Sequence, residues 1–313
     1  MQLETTRLPR LFALELTPSL FRKLAFAAAC AVYVVVTTGA IVRLTASGLG
    51  CDNWPRCGNT PFPEQGSHAF IEFGNRVVAL GAIGFTLVSW LAARRVRTLP
   101  RSVERLALLA FLGNVAQIPL GGLTVIFNLN PFLVMSHFLL ALVVLGLATL
   151  VALEARRLEA GGTAAVVPRE LRLLGIALGL SCLALVVTGT FATAAGPHSG
   201  GADVGRLGTL ATSVHVHAAL AAVFGCSFLF VLGYLAGRRA TVPRLFLAAL
   251  VLLGLLLLQV GVGELQWRTE LPWGIVLFHV ALAAAVWTGT VALVHQFWRP
   301  LAWSAAEPPT LGR

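Results

Sequence analysis

The stretch QIPLGGLTV (residues 117–125) returns 142 residues later as QVGVGELQW (residues 259–267), with Gln117 on Gln259, Gly121 on Gly263 and Leu123 on Leu265. The same offset places His137 of MSHFLLAL on His279 of LFHVALAA, and Asn75 of IEFGNR on His217 of VHVHAAL. One shift therefore joins three separate apolar runs to three later ones, which is how a duplicated structural unit reads in sequence. A fourth pair, VTTGAIV and VVTGTFA, matches at an offset of 150, so the first connecting loops of the two units differ in length.

The runs that carry the repeat are long. Eight apolar segments occur, at about residues 22–42, 70–92, 106–126, 132–152, 171–192, 212–235, 244–264 and 273–295, each near the ~20 residues needed to cross a bilayer. Of the 313 residues, 57% are hydrophobic and 12% charged. Ordinary soluble domains carry about 25% charge. The expected fold is therefore an all-α polytopic membrane protein, with eight transmembrane helices arranged as two tandem pseudo-symmetric four-helix bundles. Four spans return the chain to its starting side, so both units take the same orientation. The linker EARRLEAGGTAAVVPRELR (residues 154–172) sets the boundary, giving an N-terminal half at 1–160 and a C-terminal half at 161–313. The first run reaches full spanning length without a small-residue cleavage site, so no cleavable signal peptide is expected.

The net charge of +10 raises nucleic-acid binding, but its distribution argues against it. Of the 23 Lys and Arg, 18 fall before the first run, in alternate loops or after the last run; Arg43, Arg56, Arg76, Arg206 and Arg268 fall on the other side. The positive-inside rule then places both termini in the cytoplasm, for a multi-pass protein of the cell (plasma) membrane.

Three repeat-related positions carry histidine: His137, His217 and His279. A lone intramembrane histidine is most simply a packing residue that hydrogen-bonds between helices. The spacing points further. His217 and His279 are 62 residues apart on spans 6 and 8, and Asn75 and His137 are 62 apart on spans 2 and 4. Two histidines facing across a bundle core suit a haem, whose iron takes two axial imidazoles with nitrogens about 4 Å apart. Zinc would require more ligands converging on one point. His215 lies about 200° around the helix from His217, so both cannot face the core; the repeat selects His217 and leaves His215 as the alternative. His68, His198 and His295 sit at helix ends or in loops, where solvation is expected.

Glu72, Asn75 and Arg76 stand at i, i+3 and i+4, on one helical face near the outer end of span 2. A favourable acid in a helix's first turn would account for Glu72. However, ionisable groups inside spans usually mark function, and the repeat mates of Glu72 and Arg76 are Val214 and Ala218. The acid thus belongs to one half only, which suggests a reactive N-terminal half and a cofactor-holding C-terminal half. In the first outer loop, TASGLGCDNWPRCGNTPFPE, Cys51 and Cys57 are the only cysteines outside the spans. They are read as a disulfide on the oxidising side, with a redox-active pair as the alternative. Cys30, Cys182 and Cys226 are read as packing residues.

The blocks TGAIVRLTASGLGCDNWPRC, FIEFGNR, QIPLGGLTV, SHFLLAL and HVHAAL…FHVALA together resemble the haem A synthase family, over essentially the whole chain. The resemblance implies an oxidoreductase of cytochrome oxidase biogenesis that converts the C8 methyl group of haem O to the formyl group of haem A. It implies haem b held by His217 and His279, and haem O as substrate near His137 and Asn75. It further implies Glu72 as the catalytic acid, with Arg76 paired to Glu72 or to a haem propionate, and Cys51 and Cys57 as the loop cysteine pair. The family's Glu-x-x-His-Arg motif has Asn75 here in place of its histidine, as part of the family does. With His137 on one face of the substrate iron, Asn75 leaves the other face open, which oxygen activation requires. Haem O synthase and an electron donor, a quinol or a redox protein, are the implied partners. The rival readings are a dihaem b-type electron-transfer protein, which would need histidine pairs in both halves, and a haem transporter. For a transporter, midspan helix breaks in both halves would be expected; Pro119 is expected to interrupt span 3, but its mate is Gly261.

Overall fold

In the computed structural model, residues 15–51, 53–58, 62–63, 66–161, 168–201 and 204–299 are described. They form eight helices and, among the described residues, no strand: α1 Pro18–Leu44, α2 Ser67–Ala93, α3 Arg101–Ile126, α4 Pro131–Glu159, α5 Arg169–Ala195, α6 Leu210–Ala236, α7 Pro243–Arg268 and α8 Trp273–Gln296. All eight are long and apolar enough to cross a membrane. The chain is a multi-pass membrane protein.

Local chemistry sets where these helices begin. The Thr17, Asn130 and Thr209 side chains accept hydrogen bonds from the first free N–H groups of α1, α4 and α6. Proline opens α1, α4 and α7, where its missing donor costs nothing. Most helix ends overrun the apolar segments by one to several residues, the end of α3 and the start of α8 excepted. Pro119 does not interrupt α3, contrary to the sequence expectation; α3 is continuous through it. A spanning helix tolerates proline when neighbouring groups satisfy the freed backbone carbonyl.

The helices group as the repeat requires. In the first bundle α1 packs on α2 and α4, and α3 packs on α2 and α4; in the second α5 packs on α6 and α8, and α7 on α6 and α8. The bundles meet through α4 on α8, α1 on α8 and α4 on α5. Since α4 and α8 are repeat mates, as are α1 and α5, this seam is itself pseudo-symmetric. The packing inside the bundles is not. A layer of Ala28, Thr86, Ala110 and Ala148 in the first bundle corresponds to Leu178, Phe228, Leu252 and Thr290 in the second. The small residues of the first bundle line a small cavity between α1, α2, α3 and α4, whereas the second bundle fills its core with Phe224, Phe228, Leu178 and Leu252.

Three sets of contacts tie the halves together. Midway, Trp287 Nε1–H donates to the Leu142 carbonyl and the Tyr33 hydroxyl to the Ala281 carbonyl, both at 2.8 Å. At the end where α4 and α8 finish, buried Glu154 of α4 meets His295 at 2.9 Å and Arg299 at 2.7 Å, both from the C-terminal half, and Arg157 at 3.7 Å. At the opposite end, the Gly48 N–H donates to the Gly200 carbonyl, 3.0 Å away.

Candidate haem sites in the two halves

The four repeat-related positions lie at one depth. Asn75, His137, His217 and His279 each sit about two turns inside the N-terminus of α2, α4, α6 and α8 respectively. In the C-terminal half the His217 and His279 rings face each other, with centroids 6.5 Å apart and planes at 74°. An iron–imidazole nitrogen bond of about 2 Å, plus roughly 1 Å from nitrogen to ring centre, separates two axial imidazole centres by roughly 6 Å. The observed spacing fits a single iron between the two rings. His215 is exposed on α6 and is not part of this ring pair. Among the described residues, no group of three or more His, Cys, Asp or Glu converges as a multi-ligand metal site would require.

Both halves build the surroundings of these positions in the same way. Gln117 Nε2 donates to the His137 carbonyl and Gln259 Nε2 to the His279 carbonyl, each at 3.2 Å. Gln259 Nε2 also lies 3.2 Å from His279 Nε2. Gly121 and Gly263 make room for the imidazoles, since a Cβ at either position would stand 3.2 Å from Cε1 of His137 or His279. The Nδ1 atoms of His137 and His279 are both buried without a protein partner. An unpaired buried nitrogen costs about 1–3 kcal/mol, so its recurrence in both halves is what a ligand-binding imidazole would leave. On the remaining side, Thr188 Oγ1 lies 3.4 Å from His217 Nδ1, and its mate Thr38 Oγ1 donates to Asn75 Oδ1 at 2.7 Å. Gly189 seats the His217 ring, a Cβ there falling 3.0 Å from its Cε1, whereas the mate Gly39 has nothing within 4 Å. The first half retains the space for a second imidazole and places the shorter Asn75 beside it.

In the N-terminal half a polar loop docks on the carboxylate of α2. Glu72 is 6% exposed, and both its oxygens are engaged: Oε1 accepts from Arg76 at 2.5 Å and Oε2 from the Cys51 N–H at 2.8 Å. Arg76 also donates to the Pro55 and Arg56 carbonyls, at 3.2 and 3.1 Å. Cys51 and Cys57 form a disulfide, and both are buried. The Trp54 ring packs so closely on Gly122 of α3 that a Cβ there would stand 2.8 Å from it. The mate of Gly122 is Glu264, so the second half cannot receive a loop in the same way.

The sequence model of the COX15-CtaA family, described as cytochrome oxidase assembly protein, matches residues 22–69 and 62–291. This chain belongs to that family. A COX15-CtaA assignment agrees with its curated relatives. A protein of Shewanella oneidensis named heme A synthase is 28% identical over 312 residues, covering 85% of this chain and 93% of its own. Proteins of the same name from Geobacillus kaustophilus and Symbiobacterium thermophilum are 33% and 35% identical, each over 134 residues and about two fifths of their length.

Several residues of this COX15-CtaA chain that shape the sites were not singled out from sequence: Thr38, Thr188, Gly39, Gly189 and the donor role of the two glutamines. The signal was present in the TG pair that ends both α1 and α5. Other expectations need correction. His198 and His295 are not solvated: His198 Nε2 is 2.8 Å from the Leu271 carbonyl, and His295 is held by Glu154. His68 is exposed but hydrogen-bonds the Ser47 hydroxyl at 2.8 Å. Of the three other cysteines only Cys182 packs in a core; Cys30 and Cys226 lie on exposed, lipid-facing surfaces.

Proposed function

We propose that this protein is a haem A synthase, converting the C8 methyl group of haem O to the formyl group of haem A. The net change replaces two hydrogens of the methyl group by one oxygen. Two successive hydroxylations each consume one O2, two protons and two electrons from the donor and release one water, and the resulting gem-diol loses a further water to give the formyl group. The observation that carries the reading is the contrast between the two repeat-related sites. The C-terminal half presents two facing imidazoles 6.5 Å apart. The N-terminal half presents one histidine, an asparagine and a buried carboxylate under a docked loop. A symmetric electron-transfer protein has no need of that difference, and the continuity of α3 through Pro119 removes the helix break that a transporter would favour.

In this reading His217 and His279 hold haem b, which supplies one-electron transfer when bound. His137 anchors the substrate haem O in the N-terminal half, with Asn75 set back on the opposite side. Glu72 handles protons at, or orients, the group being oxidised. Arg76 fixes the Glu72 carboxylate, and the Cys51–Cys57 loop excludes water from above while its Cys51 N–H holds the same carboxylate. Residues 1–160 then form the reactive half and 161–313 the haem b half. The protein lies in the plasma membrane with both termini cytoplasmic, and works with haem O synthase and a quinol or redox-protein electron donor.

Expression beside a haem O synthase in a host that makes no haem A, followed by extraction and chromatography of haems, tests this directly. Wild-type protein yields haems b, O and A. Glu72→Ala yields b and O without A while retaining its haem spectrum. Haem A from the Glu72→Ala variant would remove Glu72 from the chemistry, and haem b alone from the wild type would favour the electron-transfer protein.

A further inference from the structure

Arg43 closes α1 but does not serve its own half. Its guanidinium donates to the Thr193 carbonyl on α5, across the seam between the halves. Thr193 is one turn outward of Gly189, the glycine whose missing Cβ makes room for the His217 ring. The stem of Arg43 runs beside Gly200, where a Cβ would lie 3.9 Å from its Cγ, and Gly200 is itself hydrogen-bonded to Gly48. An arginine from the reactive half is thus fixed at the outer rim of the imidazole pair in the other half.

A guanidinium has five N–H donors and a permanent charge, and one neutral carbonyl answers little of either. Six of the eight described carboxylates are engaged elsewhere: Glu72 with Arg76, Glu154 with His295 and Arg299, Glu264 with Arg268, Glu159 with Arg22, Glu104 with Arg94 and Glu15 with Arg97; the other two are Glu170 and Glu270. Among the described residues, no carboxylate forms an ion pair with Arg43. A part-buried cation at the edge of hydrocarbon is costly without an anion. The ligand implied for this site carries two carboxylates, and a planar guanidinium is the group best matched to bind a carboxylate in a fixed geometry.

We propose that Arg43, supplied by the N-terminal half, is the counter-charge for a propionate of the haem held between His217 and His279. The inference rests on the haem b reading of that site, not on the oxidation of haem O. The cofactor's carboxylate then bridges the halves through Arg43, and its binding tightens the seam that Arg43 already makes with α5.

The test uses full-length protein purified from a haem-deficient host and loaded with haem b or with haem b dimethyl ester, whose propionates are uncharged. Wild-type protein binds haem b on the order of tenfold more tightly than the ester, equivalent to about 1.4 kcal/mol. Arg43→Gln loses that discrimination, and Arg43→Lys keeps part of it. Redox titration of the low-spin haem gives a second readout: Arg43→Gln moves the midpoint potential downward, because a positive charge that favours the reduced form is gone, while Arg43→Lys stays near wild type. Should Arg43→Gln fail to assemble, the ester comparison in wild type and Arg43→Lys still decides. Equal affinity for haem b and its ester in wild type, or an unmoved potential in Arg43→Gln, would leave Arg43 as a structural tether only and overturn the proposal. A wild-type protein that forms no low-spin haem spectrum would overturn the haem b reading as well, an outcome distinct from the failure of Arg43 alone.

Discussion

Replacing Gly189 by alanine isolates the seat of one imidazole, and Gly39→Ala supplies the matched control within the same molecule. The new Cβ at position 189 would lie 3.0 Å from His217 Cε1 and 3.4 Å from its Nδ1. Carbon atoms rest at about 3.5–4.0 Å, so the ring must retreat by roughly half an ångström or more from its place opposite His279. Overpacking of this kind costs about 1–3 kcal/mol, and 1.4 kcal/mol is about tenfold in affinity. The helix itself gains up to about 1 kcal/mol when glycine becomes alanine, and gains it equally at position 39, where nothing lies within 4 Å. Haem b titrated into protein purified without haem, followed by its Soret absorbance, should bind roughly tenfold more weakly to Gly189→Ala and unchanged to Gly39→Ala. Gly263→Ala, with its nearest contact at 3.2 Å to His279 Cε1, should fall between them. Wild-type affinity in Gly189→Ala, or an equal loss in Gly39→Ala, would refute the claim that these glycines differ because one faces histidine and the other asparagine.

Two further substitutions probe the asymmetry and the seam. Asn75→His should be accommodated without loss of thermal stability, since Gly39 leaves room for the ring; haem O bound to this variant should show a second bis-imidazole low-spin spectrum, and an unchanged spectrum would count against the equivalence of positions 75 and 217. Glu154→Gln strands the His295 and Arg299 groups that meet at one buried carboxylate, so detergent-solubilised protein should lose about 3 kcal/mol of stability; a melting curve matching wild type would show that this cluster does not hold the halves together.

The number of helices, their order and the duplication were legible in the sequence because each rests on a local or periodic property. A continuous run of about twenty apolar residues forms a helix in lipid, because a single segment satisfies its own backbone groups there only as a helix. A duplicated bundle repeats its glutamines, glycines and histidines at a fixed offset. His215 and His217, two residues apart, had to take opposite faces of their helix, and His215 is the exposed one. Helix ends were read less well, and Pro119 misled, because a proline's effect depends on which neighbours answer the freed carbonyl.

The site was legible in its residue types but not in its contacts. Nothing along the chain says that Glu72 accepts from the backbone of Cys51, that Trp54 lies on Gly122, or that Arg43 crosses to Thr193. Each joins positions on different elements, and its existence depends on how the outer loop settles over the bundle. The sequence by itself determined eight spans, two related halves and the histidines of each. Only the tertiary structure decided that His217 and His279 face each other with ring centres 6.5 Å apart, that Gly39 stands open beside Asn75, and that the acid of the first half is held by the loop. Spacing along a helix fixes direction, but distance between helices is fixed by packing alone.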